Sequence, residues 1–534
     1  MSVNATERNR VLTERTPAFG KIRQLIWPIH NFELKRLIPM LLLSFLIAFV
    51  FNVLHCLKTP LMVKAAGSGA EVIPFLQLGA VLPAALFLTY IYTLLISKFP
   101  REKVFYIIIS CFTIYFALFL LILYPNNDSL QMNALADFLQ ANIFTGPGAK
   151  GFIATIRHLN LSLLYVASEM WAVIVLFILF WGFANEVTHI EEAKRFYAIF
   201  ALGGNFSGIV SGEFARSLEK ITFIPVPSLY KGNEWLFLQM SSILIACGLI
   251  LYLFWWLNRY AFKREYKVSH ATTNVKIKQP KISLKESLIY LSKSRYLTYL
   301  VLIVSGYYIV YSLADIMWTH QVGLALGSSK DVNAYMSRVI SLTGVVSVVL
   351  SLLVSGNVIR RFGWTIAALI TPIVWLLTSI GFFSSIIFDG TTAFAVLSHL
   401  VTNPVNIALL FGSLQITLGR SCKYTLFDET KEIAFIPLSK EEQRKGKVVV
   451  DGLASRFGKS GGSIIYILLF YFLGEMVNVI PYIAVIIFIA LAAWLYSIVK
   501  MGRIIDAVTS KEQQLAIEEE PELIDNNTVP DAST

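Results

Sequence analysis

About a dozen apolar stretches, each roughly 17–25 residues long, divide this chain, and ionisable residues interrupt a few of them. A helix needs about 20 apolar residues to cross the hydrocarbon core of a bilayer. A charged side chain at that depth is costly, so it marks a functional site by default. The ionisable residues are Lys58, Glu169, Asp315 and the pair Arg456 and Lys459. The pattern predicts an integral membrane protein with a charged path through it.

The composition supports this class of protein. Of the 534 residues, 56% are hydrophobic and 15% are charged, whereas soluble domains carry about 25% charged residues. The net charge of +11 comes mainly from short loops beside the apolar stretches, where basic residues set orientation and meet lipid headgroups. We therefore expect the lipid bilayer, and no nucleic acid, as a partner. The four cysteines lack disulfide or metal-ligand spacing, so we expect no metal and no cofactor.

We predict an all-α, polytopic fold of about twelve transmembrane helices in two six-helix halves, an organisation similar to that of major-facilitator transporters. The fifth and eleventh spans are rich in glycine and serine, and they could be broken or partly amphipathic helices that line a cavity. The predicted spans are Ile38–Leu57, Ile73–Ser97, Val104–Tyr124, Leu161–Ala184, Tyr197–Phe214, Leu236–Leu257, Leu297–Trp318, Val339–Ile359, Trp364–Phe388, Thr392–Leu418, Val448–Leu473 and Val479–Lys500.

Loop charge divides and orients the chain. The halves cover residues 38–257 and 297–500, and a basic connector, 258–296, joins them. Residues 1–37 are polar and basic with no cleavable signal, while the acidic tail, 501–534, is predicted to be disordered. The basic loops, including Arg420–Lys447, all fall on one side, so both termini are predicted to be cytoplasmic.

Three ionisable residues lie singly in the predicted spans. Lys58 closes the first span, where it either snorkels to headgroups or faces a cavity to meet an anionic substrate. Glu169 lies inside the fourth span, as an ion-pair partner or a proton site, and Asp315 lies near the end of the seventh. We regard all three as candidate substrate-binding residues.

Arg456 and Lys459 lie in the segment Ser455–Gly462, together with three glycines. Two cations and flexible backbone would let side chains and N–H groups converge on phosphate oxygens. The segment is not a Walker A loop, because position 453 is leucine and no strand precedes it. Arg157, just before the fourth span, could also meet phosphate, although a solvated loop arginine explains it equally well.

Eight short motifs add a family resemblance. They are GKIRQLIWPIH at 20–30, AGSGAEVIP at 66–74, FWGFANE at 180–186, AKRFYA at 193–198, GNVIRRFGW at 356–364, KYTLFD at 423–428, IPL at 436–438 and RFGKSGG at 456–462. In this order they resemble the nucleotide transporter family, the ATP/ADP translocases of plastids and obligate intracellular bacteria, over about Phe19 to Lys500. Within the family, the chain resembles members from chlamydia-like intracellular bacteria.

The resemblance implies roles for particular residues. By motif, the two lysines and two acids that matter for transport in the family fall on Lys58, Glu169, Asp315 and Lys459. Where the family's exchangers carry Arg-Asp-Thr-Lys-Asp, this chain has His-Cys-Leu-Lys-Thr from His55 onward, and Asp315 replaces a glutamate. The family contains both exchangers and proton symporters, so the altered cluster leaves the mode of transport open.

We expect a secondary transporter of nucleotides in a bacterial inner membrane, acting as a monomer. The altered first-span cluster lacks the family's arginine and two aspartates and leaves His55, which titrates near neutral pH, so we favour proton-coupled import of nucleoside triphosphates. Glu169 or Asp315 is the preferred coupling group, ahead of His55. Exchange of ATP and ADP, or of other nucleotides, is the alternative. A membrane-embedded enzyme is the rival class, and it would need a metal-ligand cluster or an activated nucleophile that the sequence lacks.

Overall fold

A computed structural model describes residues 29, 33–188, 190–218, 226–261, 294–353, 355–387, 404–447, 450 and 454–525. Within these ranges the chain is helical and contains no strand. Most of the predicted N-terminal segment 1–37 and of the connector 258–296 lies outside the described residues, as does the first part of the predicted tenth span.

We label the long helices α1 to α12 in chain order. Short π-helical turns continue or interrupt several of them, and such turns are frequent near functional sites. The helices are α1 Leu34–Val63, α2 Val72–Lys98, α3 Arg101–Leu123, α4 Leu159–Val187, α5 Ile190–Ser217, α6 Glu234–Ala261, α7 Arg295–Ala325, α8 Ser329–Leu353, α9 Ser355–Ile387, α10 Pro404–Cys422, α11 Ser455–Leu473 and α12 Met476–Asp525.

Nine helices in the described part of the chain are long and apolar enough to cross a membrane. The three long helices outside this set are α5, α10 and α11, and α5 and α11 are the spans rich in glycine and serine. Helix α5, and α11 over its described residues Ser455–Leu473, are continuous rather than broken. Multiple spans are confirmed, while the count of twelve stays a prediction.

Several predicted boundaries were wrong. Helix α1 runs past Leu57 to Val63, so Lys58 lies inside it, and α8 begins ten residues before the predicted Val339. Helix α10 continues through a π turn, Lys423–Phe427, into the helix Asp428–Ile433, although Arg420–Lys447 was predicted to be loop. In each case the run of apolar residues ends at polar residues. The folded protein buries these residues or engages them in hydrogen bonds and ion pairs, so the helix continues through them.

The C-terminal tail also differs from the prediction. Helix α12 extends to Asp525, so the tail is helical to that point rather than disordered. Its run from Lys511 to Glu520 consists largely of Glu, Gln, Ala, Leu and Lys, which are strong helix formers. Acidic composition alone is therefore a poor sign of disorder here.

The two halves repeat one packing arrangement. In the first half α1 packs against α4, α5 and α6, and in the second half α7 packs against α10, α11 and α12. Between the halves, α5 packs against α8, and α11 packs against α2. The two contacts are equivalent, because α11 is the counterpart of α5 and α8 is the counterpart of α2 in the repeat. The main cavity and the charged site lie between the two halves.

Glycines permit the closest approach between the halves. A Cβ at Gly212 on α5 would lie 2.5 Å from the carbonyl oxygen of Ser337 on α8. A Cβ at Gly344 on α8 would lie 2.8 Å from the backbone of Asn205 on α5. Larger residues at either position would force α5 and α8 apart, so the small-residue composition of α5 serves helix packing.

The two ends of the interface differ. We call the membrane face at which α1 begins the N face. At the other face Lys64 donates a 2.8 Å hydrogen bond to the Gly323 carbonyl, which joins the ends of α1 and α7. Ser463 on α11 donates to the side chain of Gln77 on α2 at 3.2 Å. The halves therefore meet at the opposite face, while a cavity separates parts of them toward the N face.

Candidate functional site

Three charged side chains meet between the halves. The Glu169 carboxylate on α4 forms an ion pair with the Lys58 ammonium on α1 through Oε1. Its Oε2 lies 3.2 Å from the Lys459 ammonium on α11. The side chains are 1%, 17% and 35% exposed for Lys58, Glu169 and Lys459. We call these residues the triad, and it carries two positive charges and one negative charge.

Helix packing places Lys58 and Glu169 together. The indole of Trp171 donates a 3.1 Å hydrogen bond to the Ile47 carbonyl, which ties α4 to α1 just beyond Glu169. The Lys58 ammonium also lies 4.6 Å from the centre of the Tyr165 ring, one turn before Glu169. A lysine buried this deeply requires such partners, because an isolated buried charge is expensive. The geometry excludes snorkelling to headgroups as the account of Lys58.

Glycines bring Lys459 into the triad. A Cβ at Gly458 would lie 2.9 Å from the Ser305 carbonyl on α7, and one at Gly462 would lie 2.9 Å from the Ser312 Cβ. Helix α11 can therefore pack closely on α7 and hold Lys459 toward α4. The predicted phosphate cradle of backbone N–H groups was wrong, because these glycines lie in a helix, whose N–H groups bond to carbonyls one turn earlier.

Asp315, His55 and Arg420 surround the triad. Asp315 and His55 each lie within electrostatic range of Lys58, Glu169, Lys459 and Arg420. Among the described residues, Asp315 makes no hydrogen bond or ion pair. The Arg420 Nη1 lies 3.4 Å from the His55 Nε2. Since a guanidinium can only donate, His55 accepts in this contact as a neutral imidazole.

A cavity of about 340 Å³ lies between the halves, on the N-face side of the triad, and the triad residues themselves do not line it. Arg420 and Lys423 from α10 and its continuation line it, and Lys423 pairs with Asp428 at 3.0 Å. Polar side chains from α1, α5 and α8 share the wall with aromatic rings. The aromatic lining residues are Phe51, Phe177, Phe180, Trp181, Phe200 and Tyr424.

The structure does not bring Arg157 or Arg456 to the triad. Arg157 ends a short helix, Lys150–Arg157, outside the spans, where it pairs with Asp137 at 2.6 Å and donates to Asn133 at 3.1 Å. Arg456 is exposed on α11 and is not among the residues that line the cavity. Lys58, Glu169, Lys459, Asp315 and His55 do come together.

Sequence reasoning missed Arg420 and Lys423. Both were assigned to a basic cytoplasmic loop, because a positive charge that follows an apolar stretch usually marks its end. The available signal was spacing: positions 420, 423, 424 and 427 fall three or four residues apart and combine two cations with two aromatic residues, which is the pattern of one helix face. A loop would not require residues at intervals of three or four positions.

Comparison with known proteins agrees with this architecture. The sequence model of the TLC ATP/ADP transporter family matches residues 12–504. The chain belongs to this family. It is 40% identical over 504 residues to "ADP,ATP carrier protein 1" of Chlamydia trachomatis serovar D, which covers 93% of this chain and 94% of the relative. It is 35% identical over 506 residues to the chloroplastic "ADP,ATP carrier protein 1" of Arabidopsis thaliana. That match covers 95% of this chain and 79% of the relative.

Solved structures show the fold of this TLC transporter family member. A nucleoside transporter, NupG, superposes with a TM-score of 0.52 at 12% identity, covering 87% of this chain and 99% of that chain. The xylose transporter XylE from E. coli, in an inward open conformation, superposes with a TM-score of 0.51 at 11% identity. The superposition covers 86% of this chain and 94% of that chain. The predicted all-α, major-facilitator-like fold is confirmed.

The family findings also bear on function. The resemblance to ATP/ADP translocases is confirmed, and the protein is a multi-pass membrane protein of a nucleotide transporter family. The preference for proton-coupled import gains no support from relatives that are named as ADP,ATP carriers. These names support the exchange alternative better.

Proposed function

We propose that this protein is a nucleotide exchanger that carries ATP and ADP, or nucleotides of similar charge, in opposite directions across a membrane. The observation that carries the proposal is the triad, in which Glu169 of the first half contacts Lys459 of the second half. Because this contact crosses the interface, whatever displaces Glu169 from Lys459 also changes how the halves are linked.

A nucleotide supplies the chemistry to displace it. The phosphate chain carries several negative charges and would enter through the cavity, where Arg420 and Lys423 offer positive charge. Phosphate oxygens then replace the Glu169 carboxylate at Lys459 and Lys58, and charge-assisted hydrogen bonds of this kind are the strong ones. The substrate itself becomes the link between α1 and α11.

Exchange follows from the paired state of the empty carrier. Without substrate, the contact between Glu169 and Lys459 and the contacts at the opposite face hold the halves in the conformation described here. A bound nucleotide removes the first of these restraints and allows the halves to rock about the site. The empty carrier returns slowly, so the return step needs a nucleotide travelling the other way.

The aromatic wall of the cavity supports a nucleobase at the other end of the substrate. Trp181 and Tyr424 line the cavity beside Phe177, and aromatic faces stack on any base. The proposal involves binding and translocation with no bond made or broken, so the protein would act as a carrier and not as an enzyme.

The arrangement in the cell is part of the proposal. We infer that the N face is cytoplasmic, because the basic loops of the sequence fall on that side. Both termini would then be cytoplasmic, and the protein would act as a monomer in the inner membrane of a bacterium. The cavity of this conformation would be open to the cytoplasm.

Purified protein in liposomes provides the test. Uptake of labelled ATP is measured into vesicles that contain ADP and into vesicles without nucleotide, each with and without a protonophore. Exchange predicts rapid uptake only with internal ADP, regardless of the protonophore. Uptake into nucleotide-free vesicles that the protonophore abolishes would replace exchange by proton symport, with Glu169 or Asp315 as the coupling group. Absence of uptake of any nucleotide would remove the transport proposal.

A further inference from the structure

We propose that Arg420 is a substrate-contacting residue that receives the phosphate chain in the cavity and passes it to Lys58 and Lys459. This inference rests on the proposed function and adds a third phosphate-binding cation to it. The family resemblance pointed to lysines and acids alone, and the loop assignment had removed Arg420 from consideration.

The position of Arg420 connects the cavity to the triad. Its side chain lines the cavity together with Lys423, three residues further along the chain. At its other side it contacts His55 at 3.4 Å, and His55 lies one helical turn before Lys58 on α1. Arg420 therefore lies between the cavity and the turn of α1 that leads to Lys58. In this proposal Lys423, Arg420 and Lys58 are successive contacts of the entering anion.

Arg420 is also available to a ligand in a way that its neighbours are not. Lys58 and Lys459 share Glu169, and Lys423 is paired with Asp428. Within the described residues Arg420 forms no ion pair, and its contacts are the His55 imidazole and the face of Tyr311, whose centre lies 5.8 Å away. A half-buried guanidinium without a contacting carboxylate binds an anion without first breaking a salt bridge.

The chemistry of the group favours phosphate. A guanidinium presents parallel N–H donors that match two oxygens of one phosphate, whereas an ammonium acts as a point charge. The neutral acceptor His55 orients the guanidinium and leaves its other N–H groups for the ligand. In this proposal a chain of two or three phosphates contacts Arg420 and the lysines through different phosphates, whereas a single phosphate contacts fewer of these cations.

The experiment compares three variants with the wild type as full-length purified protein. R420Q removes the charge, R420K keeps the charge without the planar donor pair, and R503Q changes an exposed arginine on α12, outside the cavity. For each, the dissociation constants of ATP and AMP and the KM and maximal rate of exchange are measured. Thermal unfolding of each purified variant shows whether it is folded.

We expect R420Q to raise the dissociation constant of ATP by about 10- to 100-fold and that of AMP by clearly less. R420K should fall between R420Q and wild type, and R503Q should match wild type. A folded R420Q that binds ATP within about twofold of wild type would overturn the role of Arg420. If R420Q does not fold, R420K decides: a raised constant for ATP supports the proposal, and an unchanged one contradicts it.

The same data separate this inference from the proposed function. If the wild type neither binds nor carries any nucleotide, the transport proposal fails first. If the wild type exchanges ATP normally and R420Q does so with unchanged KM, Arg420 alone is removed from the site. A purely structural arginine would lower the maximal rate or the stability without changing the preference for ATP over AMP.

Discussion

The positive charges of the site fall into two groups that differ in what holds them. In the triad, Lys58 and Lys459 are bound by one carboxylate, Glu169, and Lys58 is almost completely buried. Toward the N face, Arg420 borders an open cavity with a neutral imidazole as its contact. In the proposed mechanism a nucleotide is received first at Arg420, and it reaches the lysines only by replacing Glu169.

The two groups of cations are therefore expected to have different roles: one attracts the anion, and the other links anion binding to movement of the halves. A cation facing a cavity attracts an anion and raises its local concentration, which affects affinity and the rate of entry. A cation already paired across the interface changes the link between the halves when its partner changes. Variants of the triad should therefore alter translocation as well as binding, whereas variants of the cations that line the cavity should alter mainly binding.

The largest effect is expected for Lys58→Ala. Removing one partner of a buried ion pair costs about 3–5 kcal/mol, and the phosphate chain also loses a contact. We expect exchange to be abolished and the melting temperature to fall. Measuring ATP uptake and thermal unfolding together checks both, with Lys500→Ala on α12, outside the triad and the cavity, as a control. Normal exchange by Lys58→Ala would exclude this lysine from the site.

A smaller loss of stability is expected for Lys459→Ala, because this side chain is 35% exposed against 1% for Lys58. The lost contact to phosphate is worth about 1.5–3 kcal/mol, or roughly 10- to 150-fold in affinity. Nucleotide binding and thermal unfolding are the measurements. A variant that unfolds as readily as Lys58→Ala would show that the two lysines are equally structural.

The packing between the halves gives the next effect. In Gly212→Ala the new Cβ would lie 2.5 Å from a backbone oxygen of α8, so α5 and α8 must separate. We expect a loss of about 1–3 kcal/mol in stability and slower exchange. Gly248→Ala on α6 is the matched control, since nothing lies within 4 Å of its Cβ position. Equal behaviour of the two variants would remove the close approach from the account.

The smallest effect is expected for Arg157→Ala. This arginine pairs with the exposed Asp137 outside the spans, and such surface pairs contribute about 0–1 kcal/mol. Because this pair lies outside the spans, the KM for ATP should change by less than about threefold. A KM increase as large as that of Lys459→Ala would place Arg157 in the substrate path, as the sequence first suggested.

The fold was largely predictable from the sequence because hydropathy and loop charge report membrane spans directly. The charged site was only partly predictable. Lys58, Glu169 and Lys459 stood out as charges in apolar segments, yet their pairing depends on helices far apart in sequence. Arg420 was missed because the rule that charge ends a span fails where a cavity enters the helix bundle. The glycines beside Lys459 suggested a phosphate cradle of backbone N–H groups, although they serve close helix packing.

The most direct test of the central claim is ATP binding by Glu169→Gln. If the carboxylate competes with phosphate for the lysines, removing its charge frees Lys58 and Lys459 and tightens ATP binding, by roughly 10-fold or more. Exchange should slow at the same time, because release of the substrate is no longer assisted by Glu169. Isothermal titration with purified protein gives the dissociation constant, and vesicle uptake gives the rate. Weaker binding of ATP by a folded Glu169→Gln variant would contradict the competition between Glu169 and phosphate.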